Sequence, residues 1–249
     1  MGFSNSYEDA KRAEAYAKLE FPSTYYLAYR DLPEIIFEHV KGRKAIDLGC
    51  GTGRSTRFLQ RLGFDVVGVD ISEDMLKKAR ELNPEGDCRL IRDGDFSQFK
   101  DGTYDLALSA FTFDNIPTME KKVKNFRELG RLLKKEGRIV NLVSSPEIYT
   151  HEWASFSTKD FPENKKAKSG DKVKIIQTDI EDKRPVEDVV WTNEYYQETF
   201  KRAELEPVKI YKPLARENEP YEWVNETRIA PWVIYVLKNR EPSRFPRKR

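Results

Sequence analysis

Three glycines at alternating positions, Gly49, Gly51 and Gly53, end a short apolar run and precede a segment with helical character. Glycine tolerates backbone conformations with positive φ and lets a ligand lie directly against the main chain. The N–H groups in the first turn of a following helix have no partner within the helix, so they favour an anionic group. This spacing predicts a site for a carboxylate- or phosphate-bearing ligand over residues 49–53.

An acidic residue, Asp70, ends the next apolar run, which covers residues 65–70 and predicts a buried strand. In nucleoside-binding α/β folds, an acid at this place accepts hydrogen bonds from ribose hydroxyls. Dinucleotide sites use G-x-G-x-x-G, in which the third position is small. Counted from Gly49, that position is Arg54, and a long cation fits it badly. A nicotinamide-dependent oxidoreductase is therefore a disfavoured alternative.

Alternating apolar and amphipathic segments must position these residues. Strands and helices at the spacing found here indicate parallel strands with helices on both faces. The predicted fold class is α/β, with a doubly wound, mostly parallel seven-stranded sheet. The predicted strands cover about residues 45–48, 65–70, 88–92, 104–111, 138–143, 208–211 and 232–237. The predicted helices cover about residues 6–19, 33–40, 54–62, 72–82, 119–135 and 193–203.

The regular pattern loosens after the fifth strand, which predicts an insertion. Residues 144–170 are rich in polar, aromatic and lysine residues, and residues 172–180 and 185–191 predict the two strands of a hairpin. We expect a single domain followed by a disordered basic tail. The expected parts are an N-terminal helical cap (1–32), a core (33–143), an inserted lid (144–192), a C-terminal helix with strands (193–239) and the tail (240–249).

Charge and cysteine usage limit the expected partners. The 249 residues include 44 basic and 42 acidic ones, a net charge of +2, so no global field favours nucleic acid or a membrane surface. Cys50 and Cys88 form no CxxC pair and lie near no histidine cluster, so we expect neither a disulfide framework nor a metal site. A leader pattern and a run of ~20 apolar residues are absent from the sequence, which predicts a cytoplasmic protein.

Five ordered motifs resemble those of class I S-adenosylmethionine-dependent methyltransferases, in the small-molecule branch similar to ubiquinone and menaquinone methyltransferases. The motifs are DLGCGTG at 47–53, GVDIS at 68–72, GDF at 94–96, YDLALSAF at 104–111 and LLKKEGRIV at 132–140. Each lies at a predicted strand end or a helix-to-strand junction. The resemblance implies a Rossmann-like methyltransferase fold, S-adenosyl-L-methionine as donor and S-adenosyl-L-homocysteine as product.

The resemblance also implies roles for individual residues. The glycines would let the methionine part of the cofactor lie on the backbone, and Asp70 would hold the ribose hydroxyls. Arg30, just ahead of the first core helix, is a candidate partner for the cofactor carboxylate, because a guanidinium matches a carboxylate well. The implied cofactor-binding residues are Arg30, Gly49, Cys50, Gly51, Gly53, Asp70, Ile71, Met75, Asp95, Phe96, Ser109 and Ala110.

The acceptor side has fewer signals. His151 follows the fifth strand and is a candidate general base, with lining of the pocket as the alternative. Aromatic residues nearby favour a planar or partly apolar acceptor, although they equally suit the core of a lid. The candidate substrate-pocket residues are Tyr25, Phe111, Phe113, Asp114, Asn115, Tyr149, Trp153 and Trp223.

Several functions stay open on the sequence alone. The favoured one is methyl transfer to an oxygen, nitrogen or carbon atom of a small-molecule acceptor by in-line displacement, which needs no protein nucleophile. A chain that binds the cofactor without catalysis has the same motifs. Methylation of RNA or protein is disfavoured by the balanced charge and the aromatic lid. The acceptor atom and the oligomeric state have no signature in the sequence.

Overall fold

The structure is a computed structural model that describes residues 21–241. The predicted helix at about residues 6–19, most of the predicted cap, and residues 242–249 of the predicted tail lie outside the described residues. The part of the cap that is described forms a helix over Ser23–Arg30, which Leu32–His39 follows directly as a second helix.

Within residues 21–241, the main strands are β1 (Lys44–Leu48), β2 (Asp65–Asp70), β3 (Asp87–Leu90), β4 (Tyr104–Ala110), β5 (Leu133–Ser144), β9 (Leu205–Tyr211) and β10 (Trp232–Asn239). These seven strands form one sheet in the order β3-β2-β1-β4-β5-β10-β9. All of them run parallel except β10, which is antiparallel to both its neighbours. This confirms the predicted seven-stranded, mostly parallel sheet.

The helices of the described region pack on both faces of this sheet. Ser72 and Thr118 cap two of them, as predicted, by accepting hydrogen bonds at 3.3 Å from the N–H groups of Met75 and Lys121. Among these helices, none combines the length and the apolar character that a membrane span needs. They are α1 (Ser23–Arg30), α2 (Leu32–His39), α3 (Arg54–Arg61), α4 (Glu73–Leu82), α5 (Met119–Leu132) and α6 (Asn193–Arg202).

The boundary between α5 and β5 differs from the prediction. The helix ends at Leu132, earlier than the predicted end near Lys135, and the strand begins at Leu133 instead of Arg138. Leu133 pairs with Tyr104 in the ladder between β4 and β5, and the register shifts before Arg138 pairs with Leu106. Strand pairing therefore overrides the helical propensity of the lysine-rich segment.

The order of the strands reverses between β1 and β4, which lie side by side although β2 and β3 come between them in the chain. In a doubly wound sheet, a ligand binds at such a switch point, outside the carboxyl ends of the strands. The glycine turn follows β1, and Asp70 and Ala110 end the strands on either side. The fold thus gathers the three predicted strand ends around one crevice.

The lid, residues 144–192, contains a three-stranded sheet of β6 (Phe156–Ser157), β7 (Lys172–Gln177) and β8 (Val186–Val189). The predicted hairpin is present with shorter strands, and β6 was missed because two residues give no periodic signal. A buried carboxylate fixes the lid to the cap: Glu226 Oε1 accepts hydrogen bonds at 2.7 Å from the Thr24 hydroxyl and from the Ala154 N–H.

Candidate functional site

A cavity of about 160 Å³ lies over the glycine turn, at the carboxyl ends of β1, β2 and β4. We call it the glycine cavity. Gly49 and Gly51 adopt φ values of 68° and 54° there. A Cβ atom on Gly49 would lie 2.1 Å from the Thr112 hydroxyl oxygen, so only glycine fits this close approach. The cavity is lined by Tyr29, Leu48, Gly49, Cys50, Gly51, Thr52, Arg54, Ser55, Asp70, Ile71, Ser72, Met75, Ile91, Asp93, Gly94, Ala110, Phe111, Thr112, Asn115, Ile116 and Asn125.

Asp70 is held in the wall of the glycine cavity by the backbone on both sides of it. Its Oδ2 accepts a hydrogen bond at 2.8 Å from the Gly51 N–H, and its Oδ1 accepts one at 2.9 Å from the Ser72 N–H. Burial raises the pKa of this carboxyl, and these N–H donors oppose the rise. The carboxylate therefore links the glycine turn to the start of α4 and is fixed in place before any ligand arrives.

The buried acid of the glycine motif, Asp47, stabilises the helix that follows the turn. Its Oδ2 accepts hydrogen bonds from the hydroxyls of Ser55 (2.7 Å) and Thr56 (2.6 Å) in the first turn of α3. Complete burial raises its pKa to about 6, against the effect of these two donors. Asp47 does not line the glycine cavity, so its contacts stabilise the start of the helix whose N–H groups face the turn.

Arg54 is the cation among the residues that line the glycine cavity. It is 9% exposed, and its guanidinium carbon lies 5.0 Å from the ring centre of Tyr25 and 5.6 Å from those of Phe21 and Tyr29. Such stacking positions a guanidinium without removing its charge. In the sequence, Arg54 was only an argument against a dinucleotide site. Its position at the start of a helix, directly after the glycines, is the sequence signal that could have assigned it to the cavity.

Arg30 does not line this cavity, which corrects the expectation that it meets the cofactor carboxylate. Its guanidinium binds the carboxylates of Asp31 at 2.7 Å and Glu219 at 2.5 Å, and it donates to the Leu214 carbonyl at 3.1 Å. The hydrogen bond to Asp31 is the main reason that its pKa is raised above the ordinary range. Residue 30 faces the loop before β10, while its neighbour Tyr29 faces the cavity.

Replacing Arg30 with alanine is expected to lower the melting temperature by about 2–4 °C, because the partly buried ion pairs with Asp31 and Glu219 are lost. The dissociation constant for S-adenosylhomocysteine, measured by calorimetry, should change less than about twofold, since the side chain is outside the cavity. A tenfold weaker binding with an unchanged melting temperature would restore Arg30 as a ligand of the cofactor.

The turn after β3 also departs from the expectation. Asp95 is exposed, accepts a hydrogen bond at 3.0 Å from the Ser97 N–H and does not line the glycine cavity. Phe96 is buried in the core. Asp93 lines the cavity instead, where its Oδ2 accepts from the Lys121 ammonium at 2.7 Å.

The other predicted cofactor residues divide in the same way. Those that line the glycine cavity are Gly49, Cys50, Gly51, Asp70, Ile71, Met75 and Ala110. Gly53 and Ser109 do not line it. Gly53 instead precedes α3 with φ 81°, and Ser109 is fully buried within β4. The structure thus brings seven of the predicted residues together and leaves out Arg30, Gly53, Asp95, Phe96 and Ser109.

A second cavity adjoins the first beneath the lid, and we call it the lid cavity. Phe111 and Asn115 line both cavities. Phe111 adopts φ 63° and packs its ring against Trp232, with the ring centres 4.8 Å apart. The lid cavity is lined by Tyr25, Phe111, Asp114, Asn115, Ser144, Ile148, Tyr149, Phe156, Ile175, Gln177, Val186, Asp188 and Trp232.

Acidic residues form the polar side of the lid cavity. Asp114 is buried, and its Oδ2 accepts a hydrogen bond at 3.0 Å from the Ser144 N–H. Burial raises its pKa to about 6. Asp188, from β8, accepts a hydrogen bond at 3.1 Å from the Tyr149 hydroxyl. Behind them, the fully buried Lys122 is attracted by both carboxylates, but burial dominates and lowers its pKa to about 7.

Four predicted acceptor-side residues lie away from both cavities. The His151 Nδ1 atom is 3.0 Å from the Thr150 hydroxyl and 3.1 Å from the Glu147 carbonyl, because the turn before it directs Tyr149 inward instead. His151 is therefore not placed to act as a base in either cavity. Phe113, Trp153 and Trp223 do not line a cavity either. The predicted residues that line the lid cavity are Tyr25, Phe111, Asp114, Asn115 and Tyr149.

Residues 46–141 match the protein family described as Methyltransferase domain. Over 125 residues the chain is 30% identical to eEF1A lysine and N-terminal methyltransferase of Mus musculus, a stretch that is 47% of this chain and 18% of that protein. Over 102 residues it is 34% identical to 2-methyl-6-phytyl-1,4-hydroquinone methyltransferase of Synechocystis sp., 40% of this chain and 31% of that protein. The chain spans no more than 55% of the length of the first curated relatives that it matches.

A solved S-adenosylmethionine-dependent methyltransferase from Clostridium acetobutylicum has a similar fold, with a TM-score of 0.63 at 16% identity over 93% of this chain and 98% of that one. At this identity the likeness concerns the fold. The family match covers the segment from β1 into β5, which includes the glycine turn and Asp70. Residues 46–141 are thus similar to the family described as Methyltransferase domain, and the sheet order around them is that of the methyltransferase fold.

Proposed function

We propose that this chain transfers a methyl group from S-adenosylmethionine to a small-molecule acceptor, with the cofactor in the glycine cavity and the acceptor in the lid cavity. The observation that carries the proposal is the juxtaposition of the two cavities across Phe111 and Asn115. A donor in one cavity and an acceptor in the other meet at that shared wall.

The residues of the glycine cavity fit the chemistry of the cofactor. Asp70 offers a carboxylate for the ribose hydroxyls, fixed by the backbone N–H groups of Gly51 and Ser72. Ile71 is 51% exposed although it is apolar, and Met75 lies beside it in the cavity wall, which suits a flat adenine ring. The bare backbone of the glycine turn leaves room for the amino-acid end of the cofactor.

Arg54 takes the role that the sequence gave to Arg30. A carboxylate at the amino-acid end of the cofactor needs a cation within the glycine cavity, and Arg54 lies there with its guanidinium among the rings of Phe21, Tyr25 and Tyr29. The rings restrict the side chain, so less freedom is lost when it binds an anion.

When bound, the cofactor supplies a sulfonium methyl group, which a nucleophilic atom of the acceptor takes by in-line displacement. The protein then has to align the two molecules and keep water away from them. Phe111 is well placed for this task because its backbone is fixed by the hydrogen bond from its N–H to the Leu142 carbonyl, at 2.8 Å. The lid closes the acceptor side through Glu226, which ties it to Thr24 of the cap.

The test has two measurements. Calorimetry should detect binding of S-adenosylhomocysteine and no binding of NAD. S-adenosylhomocysteine should also raise the melting temperature of the protein. Incubation with tritiated S-adenosylmethionine and a metabolite extract should then move label into the small-molecule fraction. Binding without any transfer would support a cofactor-binding protein without catalysis, and binding of NAD alone would overturn the proposed class.

Methylation of a protein amine is the second candidate, favoured by the similarity to the mouse relative, whose name specifies lysine and N-terminal methylation. The contact between the lid and the cap disfavours a polypeptide acceptor, because Glu226 joins Ala154 of the lid to Thr24 of the cap. Separation of the labelled extract by size distinguishes the two candidates. Label in the protein fraction alone would favour this second function over the first.

A further inference from the structure

Two acidic side chains and no basic one are among the described residues that line the lid cavity. Asp114 and Asp188 both line it, whereas Lys122 lies behind them and lines neither cavity. The Lys122 ammonium donates a hydrogen bond to the Phe113 carbonyl and lies 4.6 Å from the ring centre of Trp191. The two carboxylates therefore face the cavity, and their cation faces the core.

Unsatisfied amide groups also point to a ligand in this cavity. Gln177 is 1% exposed and Asn115 is partly buried, and both line the cavity. Among the residues that the structure describes, the Gln177 Nε2 and the Asn115 Oδ1 atoms have no hydrogen-bond partner. A buried polar group without a partner costs about 1–3 kcal/mol, so an occupant that satisfies both is favoured. In the conformation described, the cavity of about 30 Å³ has room for water only, so a larger occupant needs the lid to move.

Part of the wall of the lid cavity is aromatic. The rings of Tyr25 and Trp232 stack with their centres 5.7 Å apart, and Phe156 lies 5.2 Å from Tyr25. Aromatic walls of this kind favour a ring in the ligand, and carboxylates at one end favour a group that donates hydrogen bonds and carries positive charge.

We propose that the acceptor is a small ring-bearing amine, whose ring packs against Tyr25, Phe156 and Trp232 and whose nitrogen binds the carboxylates of Asp114 and Asp188. Asp114 accepts the proton that the ammonium must lose before it reacts. This inference rests on the proposed function and names the substrate class of the same site.

The step balances without a further reactant. The ammonium gives one proton to Asp114, and the nitrogen lone pair forms the new bond to the methyl carbon. The electron pair of the carbon–sulfur bond leaves with sulfur, which yields S-adenosylhomocysteine. The product is a methylated ammonium, and its charge is the one that the sulfonium carried before transfer.

The environment of Asp114 suits a base near neutral pH. Lys122, Tyr149, Tyr196 and Tyr235 are titratable groups that interact with it. Asp188 interacts with the first three of these groups. Its pKa of about 6 is raised by burial and lowered by the Ser144 N–H and by Lys122, so the carboxylate is ionised above pH 6. The rate of transfer is expected to fall as the pH drops through this value, because Asp114 then holds a proton already.

The decisive experiment compares two probes that share a ring and a two-carbon chain, phenethylamine and 3-phenylpropanoate. In the binding assay, with saturating S-adenosylhomocysteine, phenethylamine should bind and 3-phenylpropanoate should not. In a separate transfer assay, the tritiated methyl group of S-adenosylmethionine should appear on the phenethylamine nitrogen. Asp114→Asn and Asp188→Asn should each weaken phenethylamine binding about tenfold or more, since each removes a charge-assisted contact. Asp160→Asn, at an exposed carboxylate of the lid, is the matched control and should change nothing.

A variant of Lys122 distinguishes a general base at Asp114 from a carboxylate with a structural role only. Lys122→Met removes the buried cation, so the acidic limb of the pH–rate profile should move to higher pH while S-adenosylhomocysteine affinity stays unchanged. Equal binding of both probes, binding of the anion alone, or binding of neither overturns the inference. An unshifted profile in Lys122→Met overturns the role of Asp114 as base. If the unmodified protein does not bind S-adenosylhomocysteine, the proposed function is overturned instead. Failure of the proposed function is therefore distinguishable from failure of the inference about the acceptor.

Discussion

Asp70→Ala is expected to bind S-adenosylhomocysteine about 10- to 100-fold more weakly than the unmodified protein, because the hydrogen bonds from the ribose hydroxyls to a carboxylate are lost. The change also removes the acceptor of the Gly51 and Ser72 N–H groups, so the glycine turn loses its link to α4. Both effects weaken binding at the same end of the cavity. Calorimetry measures the dissociation constant directly.

Two further variants isolate the role of the Asp70 carboxylate. Asp65→Ala changes an exposed acid at the other end of the same strand and should leave the dissociation constant unaltered. Asp70→Asn keeps oxygen and nitrogen atoms near the turn, so it should bind with intermediate affinity. Wild-type affinity in Asp70→Ala would show that the ribose does not lie at this strand end.

Gly49→Ala is expected to destabilise the protein by about 3 kcal/mol or more and to lower the melting temperature by about 10 °C. The new Cβ atom would lie 2.1 Å from the Thr112 hydroxyl oxygen, and the residue would keep a left-handed φ of 68°. Thr112 also donates a hydrogen bond from its hydroxyl to the Leu48 carbonyl at 2.8 Å, so it cannot move away without loss.

Gly63→Ala is the matched control for Gly49→Ala. Gly63 also has a positive φ, of 83°, but no atom lies within 4 Å of the Cβ it lacks. Its substitution should cost only about 1–2 kcal/mol of backbone strain. Combining Gly49→Ala with Thr112→Ala should recover part of the lost stability. Equal melting temperatures for the two single variants would show that the close approach at Thr112 is not a real constraint.

The lining of the glycine cavity was largely predictable because its signals are local. A glycine turn, a strand and a terminal acid occur within residues 45–70, and the register of parallel strands brings their ends together. Asp95 was expected at this site and lies outside the cavity, for an equally local reason. Its N–H bonds to the Arg92 carbonyl, and this turn directs Asp93, not Asp95, toward the cavity. Turn geometry of this kind has no periodicity from which the direction of a side chain can be predicted.

The acceptor side was less predictable because its residues meet only through the tertiary fold. Asp114 and Asp188 lie on a turn after β4 and on β8, and no spacing relates them. Lys122 appears in the sequence as one more lysine of a helix, yet it is fully buried beside them. His151 was a candidate base because it follows the fifth strand, but the turn before it places Tyr149 in the cavity instead.

A crystal structure of the protein with S-adenosylhomocysteine tests the central claim most directly. We expect the ribose hydroxyls within hydrogen-bond distance of the Asp70 carboxylate, the adenine against Ile71 and Met75, and the amino-acid carboxylate at Arg54. The sulfur atom should face Phe111 and Asn115, at the wall shared with the lid cavity. A product bound outside the glycine cavity, or with its sulfur turned away from that wall, would contradict the account.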